Sequence, residues 1–186
     1  PLFNKFTPLE EGELKEIITN YAQVQNFAIE GIYTMDGSKR STRLNAFFTG
    51  FGRFRRIVFF DTLMEKLDNN EILSVLAHEM GHFKHKHIFK MMSASILQSG
   101  VMFFILSLFL GNQQLFDAFG MAHISIYAGL IFFSFLYSPI STLLSIFFNI
   151  FSRKHEYEAD AWTVKTTGEA EALISGLKKL SVHNLS

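Results

Sequence analysis

The sequence predicts an α+β fold, mainly α with a small β-sheet, interrupted by a transmembrane helical hairpin. Three observations carry that expectation: mixed helix and strand signals before residue 90, two long uncharged stretches after it, and a charged helical segment that follows them. At 186 residues the chain suits a single domain, read here as 1–90, 91–152 and 153–186. It opens on Pro1 without an initiator Met and is expected to be a fragment of a longer chain.

The elements follow in order. Thr7-Pro8-Leu9-Glu10 offers an N-cap, a proline at the first helical position and a glutamate three residues after the cap, predicting a helix to about Gln25. Ala28 to Tyr33 alternates apolar and polar residues as a strand does, and Asp36-Gly37 marks a turn. Leu44 to Thr49 and Arg56 to Phe60 read as two further strands across Gly50-Phe51-Gly52. Asp68-Asn69-Asn70-Glu71 resembles a capping box and launches a helix through Leu76 and His82 towards Lys90.

Composition narrows the functional classes. Lys+Arg and Asp+Glu number 17 each, so no net field gathers nucleic acid, and none is expected as a partner. The absence of cysteine excludes disulfides, thiolate metal sites and cysteine nucleophiles. Phenylalanine occurs 22 times and charged residues make up only 18 %, against about 25 % in ordinary soluble domains.

The charges are also unevenly placed: 26 uncharged residues separate Lys90 from Asp117, and 35 more separate Asp117 from Arg153. Met91 to Leu110 is 20 residues long, enough as a helix for roughly 30 Å of bilayer core. His123 to Ser152 can cross as one tilted helix or bend at Pro139. A buried hairpin in a soluble protein would carry a charged stripe where it met water, and neither run has one. Lys84, Lys86 and Lys90 precede the hairpin and Arg153 and Lys154 follow it, so the positive-inside rule puts both flanks in the cytoplasm. Membrane lipid is therefore an expected partner.

The helix before the hairpin carries His78-Glu79-Met80-Gly81-His82. Residues four apart share a helix face, so both imidazoles can meet one zinc ion, and Glu79 can reach a water there as a base. Two histidines supply two ligands, whereas a catalytic zinc takes three from protein. The third-histidine solution of the metzincins is absent, because the position it needs is Ile88. His85 and His87 are read as solvated or at the membrane surface. Beyond the hairpin, Glu156 and Asp160 are also four apart on one predicted face. Glu156 is assigned to the ion and Asp160 to the remaining N–H of a ligating imidazole. Two crossings between these segments return them to one side of the membrane.

Gly37-Ser38-Lys39-Arg40, Asn45-Ala46-Phe47-Phe48-Thr49-Gly50, Arg56-Ile57-Val58-Phe59-Phe60-Asp61-Thr62-Leu63, His78-Glu79-Met80-Gly81-His82 and Glu156-Tyr157-Glu158-Ala159-Asp160 together resemble the type I CAAX prenyl protease family. The resemblance covers nearly the whole chain. It implies an α+β zincin-like metalloprotease core of gluzincin type, with His78, His82 and Glu156 on one zinc ion and Glu79 as the catalytic base. It further implies an integral membrane endopeptidase acting on peptides near a prenylated cysteine, and a peptide-binding role for Asn45 and Ala46. The family has membrane helices before this region and a His-Pro stretch after the Glu156 helix that are not found here, and His183 does not match that stretch. Two alternatives stay open: a quality-control zinc protease without prenyl specificity, and a zinc-binding fragment without activity.

Overall fold

The computed structural model describes residues 6–35, 46–49 and 55–185. Its elements are β1 (Phe6–Pro8), α1 (Glu13–Val24), β2 (Gly31–Met35), β3 (Ala46–Thr49), β4 (Arg56–Phe60), α2 (Asp61–Lys66), α3 (Asn69–Lys84), α4 (His87–Leu110), α5 (Gln113–Ala118), α6 (Ile126–Thr167) and α7 (Ala170–Leu185). The fold is mostly helical with one small mixed sheet, as the sequence predicts. Two compact units divide it, one of Pro1–Gly81 with Glu158–Ser186 and one of His82–Tyr157.

In the first unit the sheet order is β1-β2-β4-β3. β2 and β4 pair in parallel, Ile32 opposite Ile57, and the outer pairs are antiparallel. The N-terminal helix differs from expectation. Thr7 and Pro8 are not its cap but lie in β1, opposite Thr34 and Tyr33, and α1 begins only at Glu13. Pairing with β2 outweighs the local capping signal, and Pro8 is tolerated because β1 is an edge strand. The second strand is likewise shifted from Ala28–Tyr33 to Gly31–Met35. Its register is held where Glu30 takes a bidentate hydrogen bond from Arg56, at 2.9 and 3.0 Å. That guanidinium holds the Glu30 carboxyl below its usual range. Leu44 and the turns expected at Asp36-Gly37 and Gly50-Phe51-Gly52 lie outside the described residues.

The sheet, α1, α2 and α3 share a core that includes Ile18, Ile57, Phe59, Leu63, Leu76 and Met80, all fully buried. The capping box of α3 forms reciprocally: Asp68 Oδ1 accepts from the N–H of Glu71, and Glu71 Oε2 accepts from the N–H of Asp68, each at 2.9 Å. Glu71 does more than cap. Buried against α7, its carboxylate also accepts from Ser175 Oγ at 2.5 Å and Lys179 Nζ at 2.7 Å. One glutamate therefore starts α3 and fastens α7 to it.

In the second unit α4 and α6 form the hairpin, linked through α5. His87 stacks on His155 at one end, with centroids 4.1 Å apart, and Phe109 meets Phe133 edge-on at the other, 5.9 Å apart. Each interval is 22 residues, about 33 Å of helix, so the helices are antiparallel over a bilayer's thickness. Their apolar side chains are largely exposed, with only 6 % of either apolar window buried. Pro139 does not end α6, which runs 42 residues, roughly 63 Å, from the second apolar stretch through Glu156 and Asp160. The segment expected as a separate helix after the hairpin is thus a continuation of its second span.

Burial alone pushes the Glu71 carboxyl up, but hydrogen bonds from Lys179, Ser175 and the Asp68 N–H, with the Lys179 charge, together hold it below its ordinary value of 4.5. A lowered folded-state pKa means that its contribution is present above 4.5 and is lost as pH falls through the folded value. Glu71→Ala is expected to destabilise the fold by about 1–3 kcal/mol, chiefly through the stranded Ser175 and Asp68 donors, since water screens the half-exposed Lys179. Thermal unfolding in detergent reads this, and the gap to wild type should narrow in acid.

Candidate metal centre

Burial of the apolar face of α3, with Ile72, Val75, Leu76 and Met80 in the core, sets how its opposite edge lies. His78, Glu79 and His82 occupy its last two turns. The ring nitrogens of His78 and His82 come within 4.8 Å of each other, as the four-residue spacing requires.

Two contacts seat these histidines, one in each unit. In the first, His78 Nδ1 lies 2.9 Å from Asp160 Oδ1 on α6. In the second, His82 Nε2 lies 3.6 Å from Glu156 Oε2, also on α6. The longer distance is too great for a hydrogen bond. It is close to the edge of a zinc tetrahedron, about 3.4 Å for bonds of 2.0–2.2 Å. With its Nδ1 turned to Asp160, His78 keeps Nε2 for an ion, and His82 turns Nε2 to the carboxylate. Neutral imidazole nitrogens and a carboxylate oxygen are donors that suit zinc.

Gly81 sets the approach of helix to helix. A Cβ there would sit 3.1 Å from the Ala159 Cα and 3.1 Å from the Trp162 ring, and the Ala159 backbone cannot swing aside as a side chain can. Ala159 is itself fully buried. Small residues on both helices thus let His78 and Asp160 meet.

Ala46 is buried on β3, opposite Phe59, in a strand at the end of the sheet order, while Asn45 lies outside the described residues. Of the reading of His85 and His87 as solvated or at the membrane surface, solvation is corrected for His87, which is 3 % exposed and has its Nδ1 2.9 Å from His82 Nδ1. The helix expected to reach Lys90 stops at Lys84, and Lys86 adopts a left-handed conformation, φ 55°, before α4 begins. No glycine, proline or asparagine announces that break in the sequence.

Comparison with known proteins shows the family. The profile of peptidase family M48 matches residues 8–186, and the chain belongs to that family. It is 36 % identical to the CAAX prenyl protease 1 homolog of Homo sapiens, across 100 % of this chain and 47 % of that protein. It is 37 % identical to CAAX prenyl protease 1 of Saccharomyces cerevisiae, across 100 % of this chain and 44 % of that one. The crystal structure of S. mikatae Ste24p superposes with a TM-score of 0.81 at 37 % identity, over 100 % of this chain and 47 % of that one. The chain thus spans about half the length of these relatives. M48 membership implies a metal, generally zinc, and histidine–carboxylate groups able to bind one are present. The two apolar helices, together with these relatives, point to an integral membrane protein.

Gly81→Ala is expected to push α3 from α6, at a cost of about 1–3 kcal/mol for overpacking. Zinc affinity, measured by competition with a chromophoric chelator, should fall about tenfold or more.

Proposed function

We propose that this chain forms the catalytic core of an integral-membrane zinc endopeptidase that hydrolyses peptide bonds in prenylated CAAX-type substrates, with its active site on the cytoplasmic face. The observation that carries the reading is the pairing of His82 Nε2 with Glu156 Oε2 at ligand-edge distance, beside a His78 already oriented by Asp160. His78, His82 and Glu156 would hold the ion. Asp160 accepts the Nδ1 proton of His78, which fixes the tautomer and raises the ring's basicity.

When bound, zinc supplies Lewis-acid chemistry, acidifying a water and polarising the scissile carbonyl. Glu79 takes the proton as the water attacks and returns it to the departing amine. Substrate would follow the sheet edge: among the described residues β3 pairs with β4 alone and is terminal in the order, so an extended peptide can add to its other edge by backbone hydrogen bonds. Ala46 on this strand, with Asn45 before it in the sequence, is assigned to peptide binding.

The ends of the hairpin support the location. His87 and His155 meet at the end that carries Lys86, Lys90, Arg153 and Lys154, so the basic flanks lie together, as they would at a cytoplasmic surface. Glu156 follows Lys154 by two residues on the same helix. A metal held by His82 and Glu156 would therefore lie close to the basic flank, where a lipidated peptide would have its tail in the bilayer and its backbone in water.

Two substitutions in the full-length protein test this function. Glu79→Gln should keep zinc and lose about 10²–10⁴-fold in turnover of a farnesylated peptide, so undiminished cleavage removes Glu79 from the reaction. Glu156→Ala should lower zinc affinity by more than the ~10–100-fold typical of an outer hydrogen-bond partner. Metal analysis after dialysis checks it, and full retention of zinc would move the third ligand elsewhere.

A further inference from the structure

We infer that His87 is a positioning residue for the metal centre: its Nδ1 accepts the Nδ1 proton of His82 and holds that ring with Nε2 turned to the ion. The inference rests on the zinc reading above. Two ring nitrogens 2.9 Å apart share one proton, so one ring donates and the other accepts. Were His87 the donor, neutral His82 would carry its own proton on Nε2, the atom facing Glu156 at 3.6 Å, and could not bind metal there. Ligation through Nε2 therefore requires His82 to donate and His87 to accept. By linkage, an acceptor held at His82 Nδ1 favours the tautomer that binds the ion.

The surroundings hold His87 in that place. In an unbroken helix a residue five places on is rotated about 140° from the first, so His87 would face away from His82. The turn at Lys86 prevents this. Its backbone is left-handed, which residues with a Cβ rarely adopt, and the α4 that starts beyond it carries His87 back over the His82 ring. His87 then lies in a column of rings, 11° from coplanar with His155, which in turn packs on Phe151 at 4.3 Å. Buried and stacked, it has little freedom to turn its Nδ1 elsewhere. The two histidines of the motif are thus matched, each with Nδ1 engaged at 2.9 Å, one by a carboxylate and one by an imidazole.

The test uses the full-length protein in detergent. His87→Phe keeps a flat ring against His155 and removes the acceptor, whereas His87→Asn restores an acceptor near the Nδ1 position. Zinc affinity by chelator competition should fall about 10–100-fold in His87→Phe. His87→Asn should recover to within about threefold of wild type. Equal affinity in wild type and His87→Phe overturns the inference, as does a His87→Asn protein no better than His87→Phe. Should His87→Phe fail to fold, nitrogen-15 NMR of the wild-type imidazoles decides: a proton on His82 Nδ1 supports the inference and a proton on Nε2 overturns it. Wild-type protein that takes up no zinc overturns the metallopeptidase reading, and this inference with it, whereas zinc uptake indifferent to His87 defeats this inference alone.

Discussion

The centre depends on how closely α3 and α6 can lie. The histidines belong to one helix and the carboxylates to the other, more than seventy residues along the chain. Only backbone-to-backbone contact at Gly81 and Ala159 brings an imidazole and a carboxylate from such distant segments to hydrogen-bond range. Packing in a protein interior is dense enough that one extra methyl at such a crossing is felt. The glycine between the two histidines is therefore as much a part of the candidate site as the side chains that could bind a metal.

Around that crossing the fold supplies rigidity from several directions. The core under α3 fixes which edge of the helix faces α6. Glu71 fixes where α3 begins and ties α7 across it, so the start of the helix is anchored as well as its histidine-bearing end. Length does the same work on the other side. α6 continues without interruption from an apolar stretch through Glu156 and Asp160, so one helix carries both carboxylates. A metal centre on stiff, continuous helices loses little entropy when it closes on an ion.

On the proposed function the substrate is itself amphipathic, since a prenyl chain partitions into lipid while the peptide next to it remains solvated. The exposed apolar surface of α4 and α6, unusual for a soluble domain, is what lipid or further membrane helices would cover.

Much of this was legible in the sequence. The α+β class, β4, the reciprocal Asp68–Glu71 cap and both apolar helices are local patterns, set by spacing within a few turns of chain, and the structure has them all. The distances within the centre were not legible, because spacing puts His78 and His82 on one face and Glu156 and Asp160 on another without saying that the two faces meet. The N-terminal strand escaped for a related reason: Thr7-Pro8 is a sound local helix start, overridden by the partner strand at Tyr33 and Thr34. His87 escaped because nothing near Lys86 signals a break, and the left-handed turn is held by contacts that exist only once the chain is folded. Sequence by itself determined which residues could bind a metal, since donor chemistry and helical periodicity are properties of the chain. Tertiary structure alone decided which partners orient them, since that depends on close packing between segments whose order along the chain does not reveal their distance in space.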